Sequence, residues 1–176
     1  MIDTFRSEFL RYKALAERAI AQLPDDVLAS TAADGSNSIA IICQHVSGNL
    51  RSRFTDFLTS DGEKPWRQRD EEFVPGVTAR EELLRRWEDG WDVLLGTLAT
   101  LSDADLTQTV TIRRQSLTVT EALLRALAHL SYHVGQIVFI AKAARGAAWV
   151  SLSIPPGQSE TYNAAPDRER TPDGGR

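Results

Sequence analysis

The amino-acid sequence predicts an all-α protein, a four-helix bundle with a small hairpin between its third and fourth helices. Three observations carry this. Four segments space their apolar residues alternately four and three apart, as a buried helical seam requires. Two of them open with Thr-x-x-Glu, in which hydroxyl and carboxylate satisfy orphan backbone donors. The polar stretches between them hold the Pro and Gly that stop helices.

In order along the chain, the first segment places Phe5, Phe9, Tyr12, Ala16, Ala19 and Leu23 on one face, and Pro24 ends it. Residues 25–37 are small, polar and Gly-containing, and read as a loop. The second helix is predicted over about 38–58, with Ile39, Ile42, Val46, Leu50, Phe54 and Phe57 in a row. Gly48 inside it costs roughly 1 kcal/mol against Ala, which implies that something approaches closely there. Residues 59–77, rich in charge, Gly and Pro, are long for a connection within a compact domain. They predict a crossover along the bundle, or a lid.

The third helix is predicted to open at the box Thr78-Ala79-Arg80-Glu81 and to continue through Leu84, Trp87, Trp91, Leu94, Leu98 and Leu101. Its two indoles sit at core spacing and are read as core. Within 107–119, Thr109-Val110-Thr111-Ile112-Arg113 alternates and Ser116-Leu117-Thr118-Val119 answers it, which predicts the hairpin. A second box, Thr118-Val119-Thr120-Glu121, starts the fourth helix, expected to run to about Ala144. That helix is apolar over most of its circumference and is expected to be the most buried. After Gly146 the chain is expected to leave the helix. One domain is thus expected over residues 1–163, with a disordered tail of Pro, Gly and charge over 164–176.

Composition bounds the function. Apolar residues at 42% and charged residues at 25% belong to a globular chain, and 176 residues suit a single core. A net charge of −4 gives no reason to expect nucleic acid or an anionic membrane as a partner. No stretch is read as approaching the eighteen or so uncharged apolar residues that span a bilayer, and the start lacks the order of a secretory signal. A single cysteine, Cys43, excludes an internal disulfide and fits a reducing compartment, so a cytoplasmic location is expected.

The chemistry rests on the three histidines, His45, His129 and His133. His129 and His133 lie four apart in the strongest helix, on one face, close enough for two imidazoles to grip one ion. His45 falls near the middle of the second helix, facing inward beside Ile42 and Asn49. A buried lone histidine is more often a hydrogen-bonded core residue than a ligand; a pair at this spacing on an apolar helix favours metal. Three imidazoles with an open position make the first shell of many reactive sites, unlike the closed four-ligand shell of structural zinc. Cys43 is about 200° round the helix from His45 and cannot share the ion. Imidazole suits Zn, Ni, Fe and Cu, so the expected cofactor is a divalent transition metal such as Zn, Ni or Fe, with no choice among them.

Further patterns narrow the possibilities. The position after His129 is Leu130, so the general-base Glu of zinc metalloproteases is missing. The positions three before each histidine are Ile42, Ala126 and Leu130, so the Glu of di-iron sites is missing too. Asn49 and Gln136 are candidates to orient a ligand, water or substrate. Tyr132 points about 100° away from His133. Adjacent carboxylates at Asp25-Asp26, Glu71-Glu72, Glu81-Glu82 and Glu88-Asp89 are read as solvated charges, since helical neighbours do not share a face. Ala128, Ser131 and Gly135 form a strip of small residues that predicts a close contact, within the bundle or across a homodimer.

Cys43-Gln44-His45-Val46-Ser47-Gly48-Asn49-Leu50, with Leu127-Ala128-His129-Leu130-Ser131-Tyr132-His133-Val134-Gly135-Gln136-Ile137 some eighty residues on, resembles the DinB/YfiT-like superfamily of metalloenzymes. The run from Ser151 to Asn163 resembles the ending of one uncharacterised branch. The resemblance implies an up-down-down-up bundle with a long second connection, and a divalent metal on His45, His129 and His133. It also implies homodimers, and a low-molecular-weight thiol as co-substrate in thiol S-transferases and in a maleylpyruvate isomerase. The function expected is a metal-dependent enzyme, a thiol-dependent S-transferase or a hydrolase acting on a small electrophile. The alternative is a non-catalytic metal-binding or stress-related interaction protein.

Overall fold

The computed structural model describes residues 1–76 and 79–166. They are mostly helical, 64% helix, with six α-helices and a small two-stranded sheet. Four helices are long: α1 (Ile2–Ile20), α3 (Ile39–Phe54), α4 (Arg80–Thr100) and α5 (Val119–Arg145). Two are short, α2 (Asp25–Leu28) and α6 (Ser159–Ala164). The hairpin is β1 (Thr109–Ile112) against antiparallel β2 (Gln115–Thr118), with Thr109 opposite Thr118.

Contacts between the long helices set their directions. Ser47 donates to the Arg86 carbonyl at 2.5 Å and Thr97 to the Phe54 carbonyl at 2.9 Å, so α3 and α4 run the same way. Gly90 permits this closeness, since a Cβ there would lie 2.7 Å from the Ser47 Cα. Trp87 donates to Glu17 at 3.0 Å, while Arg80 reaches Asp25 at 2.6 Å just beyond the end of α1, so α1 and α4 run opposite ways. Past the end of α5, Val150 exchanges two hydrogen bonds with the Gln22 side chain near the end of α1, at 2.8 and 3.0 Å, placing those two ends together. The core between the four holds the fully buried Trp87 and Trp91, with ring centroids 5.5 Å apart, alongside Phe9, Phe54 and Leu123.

Local chemistry fixes several boundaries. Ser38 caps α3 by accepting from the Ile41 N–H at 3.2 Å. Thr118 and Glu121 form the reciprocal box at the start of α5, at 3.1 and 2.7 Å. Gly146, with φ +52°, ends α5 in a conformation that L side chains rarely adopt. The hairpin turn forces Arg113 and Arg114 to φ +53° and +62°. Asp61 secures it by accepting from both their N–H groups at 2.8 Å.

Several expectations change. α3 ends at Phe54 rather than near Leu58. The segment read as a loop over 25–37 contains α2, whose Leu28 is buried. Val119 starts α5 instead of extending β2, because the Thr118 cap turns the chain there. Leu83 takes the fully buried place in α4, leaving Leu84 partly covered. α6 ends at Ala164; of the expected tail, residues 167–176 lie outside the described residues, as does Thr78 with the box it would anchor. Ala79 stands at the N-cap of α4.

α5 is not the most buried helix. Leu124, Tyr132 and Phe139 on its outer face are 52%, 63% and 71% exposed, whereas α3 buries most of its residues. Apolar composition sets how much a helix can bury; neighbours set how much it does, and α5 packs on α1 and α3 from one side. The span Val119–Ala148 is also long and apolar enough, by length and composition alone, to cross a membrane, contrary to the expectation that no stretch comes near. The polar His, Ser, Tyr and Gln within it hold the mean hydropathy of its most apolar 18-residue window down to 1.2. Its inner face, at Leu123, Leu130, Val134 and Ile137, is spent on the core.

Candidate metal centre

α3 and α5 bring the three histidines together. His129 and His133, one turn apart on α5, face His45 on α3. The His129 Nε2 lies 3.2 Å from the His45 Nε2 and 3.1 Å from the His133 Nε2, and all three ligand atoms lie within 4.8 Å of one another. His45 and His133 are buried and His129 is half-buried. Two imidazole nitrogens on one tetrahedral zinc ion, each about 2.0–2.1 Å from it, stand about 3.3 Å apart, so the trio fits a single ion with little movement.

The outer nitrogens are held as well. The His45 Nδ1 donates to Glu72 at 2.8 Å, and the His133 Nδ1 donates to the Gln136 Oε1 at 2.8 Å. Such contacts fix tautomer and ring orientation, and they leave Nε2 with its lone pair pointing inward. Glu72 is clamped in turn by Arg67, Nε to Oε1 at 2.7 Å and Nη2 to Oε2 at 2.8 Å. Burial works against ionisation of Glu72, yet Arg67 and His45 outweigh it and hold the carboxyl below its ordinary value. An ionised Glu72 can only accept, which makes the His45 Nδ1 the donor.

Burial, reinforced by His133, His45 and the Arg67 and Arg53 guanidiniums, pushes the His129 imidazole down to about 3, and burial also lowers His133 despite its Gln136 contact. The Nε2 of the neutral His129 stands between those of His45 and His133. Three ring nitrogens thus converge where burial disfavours the charged form of two of the imidazoles. Such a set of imidazoles could hold a divalent cation.

The crossover, expected as a connection or a lid, forms one wall. Its 3₁₀ turn, Asp70–Phe73, packs on α3 and sets the Phe73 ring 4.7 Å from the His45 ring. Gly48 makes this possible, because a Cβ there would lie 2.7 Å from the Glu72 Cδ. The close approach expected at Gly48 is therefore that of Glu72. Reading Glu71-Glu72 as solvated charge fails for Glu72, which is buried because His45 and Arg67 pair with it.

Gln136 lies on His133, whereas Asn49 lines the cavity beside His45 without a hydrogen bond to a histidine among the described residues. Tyr132 is exposed, its ring 5.1 Å from that of His133 and outside the cluster. Burial pushes the Cys43 thiol up to about 12, so it offers no thiolate. Beside His45 and His129 opens a cavity of ≈ 200 Å³, floored by Phe54, Phe57 and Ile112. Sequence reasoning missed Glu72, Arg67 and Phe73, for which Gly48 in a helix interior was the single local sign. It also missed Arg125, which lines the cavity exactly one i,i+4 step before His129 and could have been found from that spacing.

Over residues 1–158 the chain matches the model of a family described as "Protein of unknown function (DUF1572)". No curated protein and no solved structure matches it.

Proposed function

The chain belongs to the DUF1572 family, and on that premise we propose that it is a metal-dependent enzyme of the DinB/YfiT-like kind, acting on a small electrophile with a thiol or water as nucleophile. In this reading the four long helices are an up-down-down-up bundle, and a divalent metal sits on His45, His129 and His133. The observation that carries it is the convergence of three imidazole nitrogens within 4.8 Å of one another.

When bound, the ion supplies Lewis acidity and stabilises the ionised form of a thiol or water. The protein's own residues do the rest. Glu72 and Gln136 hold two imidazoles in the ligating tautomer and orientation. Arg67 keeps Glu72 ionised and in place. Phe73 covers one side of His45 and limits access of water from the crossover. The cavity beside His45 and His129 gives a small substrate a place next to the histidines, which favours an enzyme over a non-catalytic metal carrier. Thiol transfer is the expected reaction, with hydrolysis as the alternative. The protein also acts as a homodimer through the exposed outer face of α5.

The test is a zinc titration with a competing chelator on untagged protein, followed by a thiol-conjugation and hydrolysis screen of the metal-loaded form. One ion per chain is expected, with turnover lost in His45→Ala, His129→Ala and His133→Ala. If those variants match the wild type in a reaction that the wild type performs, the enzyme reading fails.

A further inference from the structure

The cavity beside the imidazoles is lined by five arginines and no carboxylate. Arg53 comes from α3, Arg67 and Arg69 from the crossover, Arg113 from the hairpin turn and Arg125 from α5. Four separate segments of the chain thus contribute arginines to the lining of a space of ≈ 200 Å³.

Carboxylates behind this wall neutralise it only in part. Glu63 takes both Arg53, at 3.1 Å from two nitrogens, and Arg113, at 2.7 Å. Glu72 takes Arg67, and the exposed Asp70 sits 3.4 Å from Arg69. Arg125 has no hydrogen-bond or ion-pair partner among the described residues. The Arg67 side chain is 2% exposed, yet its Nη1 makes no hydrogen bond and stands 3.9 Å from Glu63. Its charge is thus only partly matched by hydrogen bonds. Burial lowers the Arg53 pKa; Glu63 offsets part of this, and the Arg67 and Arg113 charges add to the lowering, so the region is electropositive.

The rest of the lining includes an apolar set, Phe54, Phe57, Ile112 and Ala126. The volume is below the ~300–1,000 Å³ of sites for drug-sized ligands. A small molecule with one anionic end and a short apolar body matches both sets of residues. Arg125 lies one helical turn before His129 on the same face, so the anionic end would be held next to the imidazoles.

We propose that this cavity is the binding site of a small organic anion, held by its carboxylate or phosphate group on Arg125 and Arg113, with the buried Arg67 charge behind them and its apolar part against Phe54, Phe57 and Ile112. This rests on the function proposed above insofar as the anion is the substrate; the binding itself does not require it. The wall selects for negative charge, and the floor selects for short aliphatic length.

The experiment is calorimetric titration of the metal-free and zinc-loaded protein with butyrate, with inorganic phosphate and with uncharged butyramide. Butyrate or phosphate is expected to bind both forms, and the tighter of the two names the group; butyramide is expected not to bind. Loss of one charge-assisted contact in Arg125→Gln weakens the anion about tenfold with zinc affinity unchanged, and Arg113→Gln does the same. Two results overturn the proposal: neither anion binds, or binding occurs only with zinc and ignores both substitutions, as for a ligand of the ion itself. Zinc stoichiometry measured on the same samples tests the metal centre separately, so a failure of one is distinguishable from a failure of the other.

Discussion

Glu72 can reach His45 only because residue 48 has no side chain, and that dependence is testable at the level of single atoms. Glu72→Gln keeps the shape but removes the charge that holds the His45 Nδ1 proton, and zinc affinity is expected to fall about 10- to 100-fold. Gly48→Ala puts a methyl group where the carboxylate lies, and the same loss is expected with Glu72 itself intact. A chelator-competition titration reads both, and unchanged affinity in both would remove Glu72 from the centre. The pH response follows from His129, whose imidazole is pushed from its usual 6.5 down to about 3. Below pH 6.5 the unfolded chain takes up this proton before the folded one does, so stability falls as pH drops from about 6.5 toward about 3 and is unaffected by this group above that window. Urea midpoints of the metal-free protein across pH 4–7 are expected to show the decline, and a shallower one in His129→Gln; identical slopes would contradict the lowered value.

At the scale of elements, the start and end of α5 make separable contributions. Thr118→Ala removes the reciprocal cap and is expected to cost about 1 kcal/mol, and Gly146→Ala strains a residue at φ +52° and is expected to cost a similar amount, about 1 kcal/mol. Chemical denaturation measures both, and zinc affinity at the far-off histidines is expected to stay unchanged. These long elements were legible in the sequence because seam spacing and caps are local signals. α2 and α6 were not, being only 4 and 6 residues long, too short for a period to show. The hairpin was read one residue too far at Val119, where strand-like β-branching met a helix cap. Two of the site's histidines were legible from their i,i+4 spacing and the third from its place on an inward face. Glu72 was not, because it meets His45 across 27 residues of a charged connection and nothing adjacent to it in sequence records that contact.

Taken as a whole, the molecule is a set of four long helices whose buried side is complete and whose α5 outer face is not. Leu124, Tyr132 and Phe139 lie there exposed, together with the small residues Ala128 and Gly135. A homodimer through this face is expected, and light scattering at micromolar concentration is expected to give twice the chain mass, reverting to one in Phe139→Asp; a wild-type monomer would exclude it. Apolar periodicity showed that α5 had apolar residues all round, but which of them meet neighbours is decided by topology, and the sequence could not separate a core face from an interface. The central claim concerns the meeting of α3 and α5 at three imidazoles, and elemental analysis of untagged protein tests it most directly. The account predicts one equivalent of Zn, Ni or Fe per chain, either as purified or after loading, and none in His129→Ala. A chain that carries no metal and takes up none from any of the three would contradict it.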